Sequence, residues 1–404
     1  MCHYADAGIN CTVHLQSVDL YQFRSFPDGH FEFCPGVNVF FGPNASGKTN
    51  LLEAIHVLSN LRSFRSRNFR ELIVWSKKNA SVRGVIQDRG GNRKQLAVDI
   101  QPHGRIPLLN AKSCKQSKDF LQIMPSATFV PDDLSLVKGA PAFRRYFLDK
   151  SVFHFYPPYW ALLTDYNRVL RQKNTLLRRL QQGHGRQGAE EACEVWNLQL
   201  QSLGTKIIVQ RLLFLNSLKR QLAEVYARWL GDEETLDIQY KSGIDSDMKE
   251  LQTIMNPLAG GNIDDLSAIV LEGYERALRR AMAREVRQGV CVVGPHRDDL
   301  DLRLRGRLLR AYGSQGQQRT AVLALIFAGV ELYHERYAEY PLLLLDDVGS
   351  ELDTQRHAKL FDYLQQGMQV FITSTHRLNL GEHELSFDLS TRKGPVQAGA
   401  TDPF

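Results

Sequence analysis

The sequence predicts an α/β fold into which a mainly helical region is inserted, and three observations support this prediction. An apolar strand at residues 37–41 runs into the loop G-x-x-x-x-G-K-T at 42–49, and a helical pattern follows to residue 61. Residues 159–227 then have a helical pattern rich in Leu, Arg and Gln. From residue 342 onward, continuous apolar strands of the parallel-sheet kind return. An α/β region interrupted by a helical insertion gives this order.

Periodicity places the remaining elements, and Pro157-Pro158 and the segment from Gly183 to Gly188 punctuate the helical region. Strands are expected at residues 13–41, 82–87, 96–100, 342–345 and 369–374, and helices at 49–61, 159–227 and 266–287. We therefore expect an α/β lobe I formed by residues 12–128 and 338–390. The inserted, largely helical lobe II is expected at residues 129–337.

Composition excludes several classes of protein. With 43% hydrophobic and 23% charged residues in 404, the chain can bury a core and is not intrinsically disordered. No apolar run approaches the roughly 18 residues of a membrane-spanning helix, so no membrane partner is expected. The six cysteines form no C-x-x-C pair and no secretory signal begins the sequence, which predicts reduced cysteines and a cytoplasmic location. The net charge of +6 permits nucleic-acid binding without requiring it.

The strongest motif is Gly42-Pro43-Asn44-Ala45-Ser46-Gly47-Lys48-Thr49, which fits the P-loop pattern at every fixed position. Gly42 and Gly47 let the backbone curl so that its N–H groups form an anion nest, and the following helix adds its positive N-terminal end. Lys48 can reach the β- and γ-phosphates, and the Thr49 hydroxyl can ligate Mg²⁺. The loop therefore predicts binding of a nucleoside triphosphate such as ATP.

A Mg²⁺-loaded triphosphate also needs a carboxylate at the end of a neighbouring strand. The apolar run at 342–345 ends in Asp346 and Asp347. We expect Asp346 to hold the water shell of the metal ion and Asp347 to stand where a water-activating carboxylate would. Lys48, Asp346 and Asp347 are thus the first candidate catalytic residues.

A second helix start has the features of a phosphate-binding device. The segment S-Q-G-Q-Q-R at 314–319 precedes an apolar helix at 321–330, and it places Ser314, Gly316 and Gln317 at the start of that helix. One nucleotide cannot use two such helix starts from the same chain. The second device is therefore expected to act on a nucleotide held by another subunit.

The order of these motifs resembles that of the ABC-type ATPases, in which two heads sandwich two ATP molecules. Ser350-Glu351-Leu352-Asp353 stands where those proteins have their D-loop, and His376 follows the strand 369–374 at their switch position. The resemblance implies an ABC-type P-loop ATPase head with a mixed α/β lobe I and a mainly helical lobe II that carries the signature motif. Two interpretations of His376 stay open, a γ-phosphate contact and an ordinary surface histidine.

Three further segments narrow the resemblance to one family. They are Leu20-Tyr21-Gln22-Phe23-Arg24-Ser25-Phe26, the stretch from Phe129 through Arg144-Arg145-Tyr146-Phe147-Leu148-Asp149, and Gly294-Pro295-His296-Arg297-Asp298-Asp299-Leu300. Together with the motifs above, they are similar to those of the RecF family of bacterial recombination mediators and gap-repair proteins. The matching segments extend from Leu20 to His376. The physical role of His296 and Arg297 is not explained by the sequence.

The RecF resemblance implies an ATP-dependent homodimer that binds single-stranded DNA, double-stranded DNA and gap junctions. It implies work with RecO and RecR in loading RecA, and roles in replication-fork maintenance and the SOS response. Ser314, Gly316 and Gln317 would contact the partner's γ-phosphate, and Arg24 would touch the nucleotide, as a basic residue does in related heads. Transporter ATPases carry Glu where this chain has Asp347, so we expect a weak, DNA-stimulated ATPase in which ATP acts mainly as a dimerisation switch.

Arginine clusters are the candidates for DNA contacts, because phosphate contacts supply most sequence-independent affinity. We favour two of them, Arg62, Arg65, Arg67 and Arg70 after the P-loop helix, and Arg276, Arg280, Arg284 and Arg287 at helical spacing. Two others are weaker candidates, Arg168, Arg171, Lys173, Arg178 and Arg179, and the strand- or hairpin-like Arg303, Arg305, Arg307 and Arg310. For each cluster an ordinary solvated face is the alternative. No helix-turn-helix or zinc-finger pattern is present, which predicts recognition of DNA structure over base sequence.

Three other classes of protein remain as alternatives. A transporter ATPase subunit is disfavoured by the helical insertion and by the absence of Glu at position 347. An SMC-like chromosome-organising head would carry very long coiled coils between the P-loop and the signature, and this interval is too short for them. A non-enzymatic DNA-binding scaffold would fit if hydrolysis were negligible.

Overall fold

The computed structural model describes residues 13–88, 90–183, 189–230, 235–244, 262–348, 359–360, 362–364, 367–378, 384–390 and 396–397. The chain divides into two units. The first comprises Met1–Asp133, Arg228–Gly231 and Arg319–Phe404, and the second comprises Leu134–Ala227 and Asp232–Gln318. Across the described ranges, no helix combines the length and apolar character that crossing a membrane requires.

An antiparallel six-stranded sheet forms one half of the first unit, and its strands follow each other in the order β2-β1-β4-β5-β6-β7. Alternation of apolar and polar residues predicts half-buried strands, and in β1 the apolar Leu15, Val18 and Leu20 are buried while Asp19 and Tyr21 are exposed. The strands are β1 His14–Phe23, β2 Phe26–Glu32, β4 Ala80–Gln87, β5 Arg93–Gln101, β6 Gly104–Leu109 and β7 Lys112–Ser113.

A second six-stranded sheet has the order β15-β14-β3-β13-β12-β8 and is parallel except for β15. The apolar run predicted at 342–345 is a strand with every residue buried, as parallel strands usually are. Because β13 lies between β3 and β12, the carboxyl ends of these three strands meet at one edge of the sheet. The strands are β3 Val37–Phe41, β8 Ser126–Phe129, β12 Leu342–Leu345, β13 Val370–Ser374, β14 Glu384–Asp388 and β15 Val396–Gln397.

The core of the first unit joins both sheets to helix α1, Lys48–Asn60. Leu51, Ile55 and Leu58 of this helix are fully buried among residues from strands of either sheet. A buried glutamine also links the sheets, because Gln369 accepts a hydrogen bond from the Leu15 amide and donates to the Leu15 carbonyl. Burial of α1 on several sides holds the P-loop, which leads into it, in a fixed position.

The second unit is mainly helical, as predicted for the insertion. Helix α5 packs on α7, and α4 packs on β10 of a small antiparallel sheet with the order β11-β10-β9. Helices after α1 in the described part of the chain include α2 Ser117–Leu121, α3 Ser135–Lys138, α4 Pro141–Phe155, α5 Tyr159–Gln181, α6 Ala189–Leu230, α7 Ile263–Gln288, α8 Leu309–Tyr312 and α9 Gln315–Tyr337. The small sheet consists of β9 Leu236–Lys241, β10 Asp299–Leu304 and β11 Arg307–Leu308. The hairpin interpretation is confirmed for Arg303, Arg305 and Arg307, because β10 and β11 pair as a hairpin, and it is wrong for Arg310, which lies in α8.

Candidate functional site

The P-loop connects β3 to α1 through a backbone that turns repeatedly into the left-handed region. The φ angles are 141° at Gly42, 67° at Ala45 and 105° at Gly47. A Cβ added at Gly42 would lie 3.2 Å from Ser46 Oγ and 3.3 Å from the Ser390 amide nitrogen. Gly42 therefore meets two constraints at once, a backbone angle that favours glycine and a close approach of neighbouring atoms.

The loop is built to receive an anion. Ser46 Oγ is buried and has no hydrogen-bond partner among the described residues, which is unusual for a buried hydroxyl. Helix α1 begins after Gly47 with no side-chain cap and no acidic residue in its first turn. The N-terminal amides of α1 therefore stay available as hydrogen-bond donors at the positive end of the helix, and a phosphate group fits these donors.

Lys48 folds back over the loop that precedes it. Its Nζ donates to the carbonyl oxygens of Gly42 at 2.7 Å and Pro43 at 2.8 Å. Burial lowers the pKa of the Lys48 ammonium group, and the carboxylates of Asp346 and Asp347 oppose that shift. The structure thus brings Lys48 and the acidic pair into electrostatic contact, as the motif order predicts.

Asp346 lies at the end of β12 and is held to the P-loop through its side chain. Thr49 Oγ1 donates to Asp346 Oδ1 at 3.0 Å, and Thr373 Oγ1 donates to the same oxygen at 2.7 Å. Burial raises the pKa of Asp346, while these two hydroxyl groups oppose the shift. Ligands of parallel sheets bind at this carboxyl edge, so the two residues expected to hold Mg²⁺ lie together where such a site belongs.

The donor set fits magnesium better than a metal held by protein alone. Nowhere in the described residues do three or more His, Cys, Asp or Glu side chains gather as a metal cluster. Magnesium in triphosphate sites is bound by one or two protein ligands, phosphate oxygens and water. Thr49 and Asp346 supply such a pair.

Asp347 is fixed through its backbone. Its φ is 51°, which is uncommon for a residue with a side chain, although Asp tolerates it better than most. Its amide donates to Thr373 Oγ1 at 2.9 Å, and its carbonyl accepts from Arg319 Nη2 at 2.5 Å. Sequence reasoning missed Thr373 and Arg319, although the place of Thr373 near the end of a predicted parallel strand was a usable signal.

Arg24 is engaged with the P-loop helix. Its Nε and Nη2 donate to the two carboxylate oxygens of Glu53, both at 2.8 Å, and Nη1 donates to the Glu71 carbonyl at 2.8 Å. Glu53 is fully buried in α1, so the paired guanidinium compensates its charge. Sequence reasoning missed Glu53, and the expected nucleotide contact of Arg24 stays a prediction.

In the second unit, the predicted signature motif begins α9 with a reciprocal cap. Ser314 Oγ accepts from the Gln317 amide at 3.2 Å, and Gln317 Oε1 accepts from the Ser314 amide at 3.0 Å. This is the capping box of S-x-x-Q sequences. A Cβ added at Gly316 would meet open space, so the fold of the chain itself does not require glycine there.

The remaining motif residues are more isolated. His376 is exposed, and its amide donates to Ser374 Oγ at 3.2 Å. Both interpretations of its role stay open. The predicted D-loop, Ser350 to Asp353, lies outside the described residues.

Both favoured arginine clusters are on the surface. Arg62, Arg65, Arg67 and Arg70 are exposed, and so are Arg276, Arg280, Arg284 and Arg287 along α7. Some of the positive charge of the second cluster is offset, since Arg276 lies 3.6 Å from Glu272.

The inclusion of Lys173 in a surface cluster is wrong, because Lys173 is fully buried and lies 2.6 Å from Glu285. The packing of α5 on α7 encloses this pair.

The segment 294–300 is a buried polar centre of the second unit. A Cβ added at Gly294, whose φ is 126°, would lie 2.2 Å from the Tyr274 hydroxyl and 2.4 Å from that of Tyr166. His296 Nε2 lies 3.1 Å from the Cys291 carbonyl and therefore donates, so Nδ1 accepts from Tyr166 at 2.8 Å. Burial lowers the pKa of His296 to about 4, which keeps the ring neutral.

Arg211 completes this centre from α6. It donates to Asp149 Oδ1 at 2.7 Å, to the Pro295 carbonyl at 2.8 Å and to Asp298 Oδ2 at 3.3 Å. Asp298 also accepts from Tyr240, Ser242 and the Gly243 amide. Segments 144–149 and 294–300 meet again where Arg144 Nε and Nη2 donate to the two carboxylate oxygens of Asp299, at 2.6 and 3.0 Å. The two motifs thus meet within the second unit, where His296 has a structural role. Arg297, whose role the sequence also left open, is exposed and donates from Nη2 to the Cys291 carbonyl at 3.1 Å.

Comparison with known proteins places this architecture in a class. The family model of the RecF/RecN/SMC N-terminal domain matches residues 14–394. Fold and site together define an ABC-type ATPase head of this class, so the predicted fold class is confirmed.

Curated relatives narrow the class. The chain is 37% identical to the DNA replication and repair protein RecF of Exiguobacterium sp. strain AT1b over 364 residues, which is 90% of this chain and 93% of the relative. It is 37% identical over 363 residues to RecF of Ligilactobacillus salivarius, covering 90% and 91% of the two chains. The chain belongs to the RecF family of DNA replication and repair proteins.

Solved structures agree with this assignment. The recombination mediator protein RecF with ATP, in the RecFOR pathway, superposes with a TM-score of 0.83 at 28% identity, covering 96% of this chain and 98% of the other. A Smc head domain from Pyrococcus furiosus superposes with a TM-score of 0.53 at 15% identity, covering 95% and 96% of the two chains. The second likeness concerns the fold alone.

Proposed function

We propose that this protein is an ATP-switched DNA-binding clamp of recombinational gap repair. The observation that carries the proposal is the hydrogen bond between Thr49 of the P-loop and Asp346 at the carboxyl edge of the parallel sheet. It unites the two groups that a Mg²⁺-triphosphate needs. The names of the relatives, a DNA replication and repair protein and a RecF with ATP, support both the ligand and the process.

The residues of the first unit divide the work of holding ATP. The amides of the loop 42–49 and the start of α1 receive the phosphates, Ser46 Oγ offers a further polar contact, and Lys48 supplies a positive charge. Thr49 and Asp346 hold Mg²⁺, which when bound neutralises phosphate charge. Arg24 adjoins the nucleotide while it compensates the charge of Glu53.

The signature motif acts on the ATP of a second subunit. Ser314 presents a capped helix start, and Gly316 leaves open space beside it for the close approach of a phosphate. Gln317 fixes the serine in this position through the reciprocal cap. Two chains would thus enclose two ATP molecules as an ATP-dependent homodimer, with His376 as a candidate γ-phosphate contact.

Hydrolysis is slow in this proposal, and DNA stimulates it. Asp347 is the candidate base, and its side chain is one methylene shorter than the Glu of transporter ATPases, so it reaches less far toward a water molecule. ATP then serves mainly to close the dimer. Hydrolysis in a single turnover at the rate of a transporter would contradict this point.

The clamp holds single-stranded DNA, double-stranded DNA and gap junctions through the exposed arginines of 62–70 and 276–287. Closure of a dimer doubles these clusters, so a modest net charge suffices for DNA binding. In the cytoplasm, we expect the protein to work with RecO and RecR in loading RecA, to maintain replication forks and to induce the SOS response.

Sedimentation velocity tests the shared-site proposal. The wild type is expected to be a monomer without nucleotide and with ADP, and a dimer with Mg²⁺-ATP. Ser314→Arg should stay a monomer with ATP, because the bulky cation replaces the capping hydroxyl beside the phosphate. Ser202→Arg, on the exposed face of α6, is the matched control and should dimerise normally. A wild type that stays monomeric in ATP, or a Ser314→Arg that dimerises, would contradict the proposal.

A further inference from the structure

Thr373 lies at the carboxyl edge of the parallel sheet. It lies near the end of β13, between the strand that leads into the P-loop and the strand that leads into the acidic pair. Its side chain is almost completely buried, with the residue 2% exposed. A hydroxyl this deeply buried needs hydrogen-bond partners.

Both partners of the Thr373 hydroxyl belong to the acidic pair. The amide of Asp347 can only donate, so Thr373 Oγ1 accepts that hydrogen bond, at 2.9 Å. The proton of the hydroxyl therefore goes to Asp346 Oδ1, at 2.7 Å. One hydroxyl thus fixes the side chain of the first aspartate and the backbone of the second.

Other contacts leave the two aspartates little freedom elsewhere. The Asp346 amide donates to the Phe129 carbonyl of β8 at 2.9 Å, and Thr49 donates to the same carboxylate oxygen as Thr373. The Asp347 carbonyl accepts from Arg319 while its φ stays at 51°. The Thr373 hydroxyl is the shared element that joins the two residues through a third side chain.

The hydroxyl is not needed for the strand itself. Valine has nearly the same shape and suits a buried strand equally well, whereas a hydroxyl must be satisfied there. We propose that Thr373 is a positioning residue that orients the Asp346 carboxylate for Mg²⁺ and holds the backbone of Asp347 in its left-handed turn. This inference rests on the proposed ATP-binding function, because Thr373 would act on the metal ion only through the side chain of Asp346.

Nucleotide affinity with and without magnesium tests this inference. The variants are Thr373→Val, which removes the hydroxyl, Thr373→Ser, which keeps it, and Thr375→Val, an exposed threonine two residues later, as the matched control. A fluorescent ATP analogue is titrated at equilibrium, once with Mg²⁺ and once with EDTA. Thermal unfolding without nucleotide checks that each variant is folded.

We expect Thr373→Val to lose about 10- to 100-fold in the Mg²⁺-dependent part of the affinity, as groups that orient a metal ligand typically do. Its affinity in EDTA should equal that of the wild type, because the P-loop amides are unchanged. Thr373→Ser should restore the Mg²⁺-dependent affinity to within about threefold, and Thr375→Val should match the wild type.

Two outcomes would overturn the role of Thr373 and leave the proposed function standing. One is a Thr373→Val protein with wild-type affinity in Mg²⁺, and the other is an equal loss in Mg²⁺ and EDTA, which would show a general structural effect. A wild-type protein that binds no nucleotide in either buffer overturns the proposed function, and this inference with it.

Discussion

The P-loop at 42–49 and the segment 294–300 are both sequence motifs, but they differ in the hydrogen bonding of their buried polar atoms. In the P-loop, Ser46 Oγ is buried without a partner among the described residues, and the start of α1 has no side-chain cap. In the other segment, His296 uses both ring nitrogens and Asp298 accepts several hydrogen bonds.

This difference separates a binding site from a structural centre. Polar groups that are buried and left unsatisfied are costly, so a chain retains them where a ligand completes them. Polar groups that are fully paired already serve the fold. Substitutions at 294–300 and its partners should therefore change stability, whereas substitutions in the P-loop should change binding.

The largest effect is expected from Gly294→Ala. The added methyl group would clash with the hydroxyls of Tyr166 and Tyr274, and a φ of 126° is strained for alanine. We expect a loss of more than about 4 kcal/mol in the free energy of unfolding, measured by urea denaturation. Gly316→Ala is the control, because its methyl group meets open space, and it should leave stability unchanged or raise it by up to about 1 kcal/mol. Equal stabilities of the two variants would contradict the comparison.

A smaller loss is expected from Arg211→Met. The substitution leaves the buried Asp298 and the half-buried Asp149 without their cation, which should cost about 3 kcal/mol in the same assay. Arg168→Met breaks an exposed ion pair with Asp165 and should cost about 0.5 kcal/mol at most. A loss as small as that of Arg168→Met would remove Arg211 from the structural centre.

The smallest of these effects is a dependence on pH. Burial lowers the pKa of His296 to about 4, so below the usual value of 6.5 the unfolded chain binds the proton more readily. The contribution of His296 to the free energy of unfolding is fully present above pH 6.5. It decreases as the pH falls toward 4, and the loss is about 2 kcal/mol at pH 5. His296→Gln should flatten this part of the profile, and the difference between the two profiles isolates the histidine, because the carboxyl groups contribute to both. If the stability profiles of the wild type and His296→Gln ran parallel between pH 4 and 6.5, this prediction would be wrong.

The sequence predicted the P-loop and the acidic strand because both are local patterns. Gly42 to Thr49 are consecutive, and the buried run at 342–345 marks a parallel strand whose end carries Asp346. The parallel sheet then brings the two segments together at one edge. The exposed stripe of Arg276, Arg280, Arg284 and Arg287 on one helix could likewise be predicted, since helical periodicity is a local property of the sequence.

Contacts between distant segments could not be predicted in the same way. Thr373 reaches Asp346 only because β13 and β12 pair in one parallel register, and Glu53 reaches Arg24 only after α1 packs on β1 and β4. Lys173 was assigned to the surface because its neighbours in sequence are arginines, and only the packing of α5 on α7 reveals its pairing with Glu285. Segment 294–300 could be recognised as a motif, but its meaning depends on Tyr166 and Arg211 from two other helices.

The most direct test of this account is the binding of Mg²⁺-ATP to Lys48→Met by isothermal titration, together with its unfolding free energy without nucleotide. Lys115→Met, an exposed lysine in the same unit, is the matched control and should behave as the wild type in both assays. We predict that Lys48→Met loses at least about 100-fold in affinity, because a charge beside the phosphates is removed, while its stability stays within about 1 kcal/mol of the wild type. Wild-type affinity in Lys48→Met, or a loss of stability as large as that of Gly294→Ala, would contradict the division between a binding site and a structural centre.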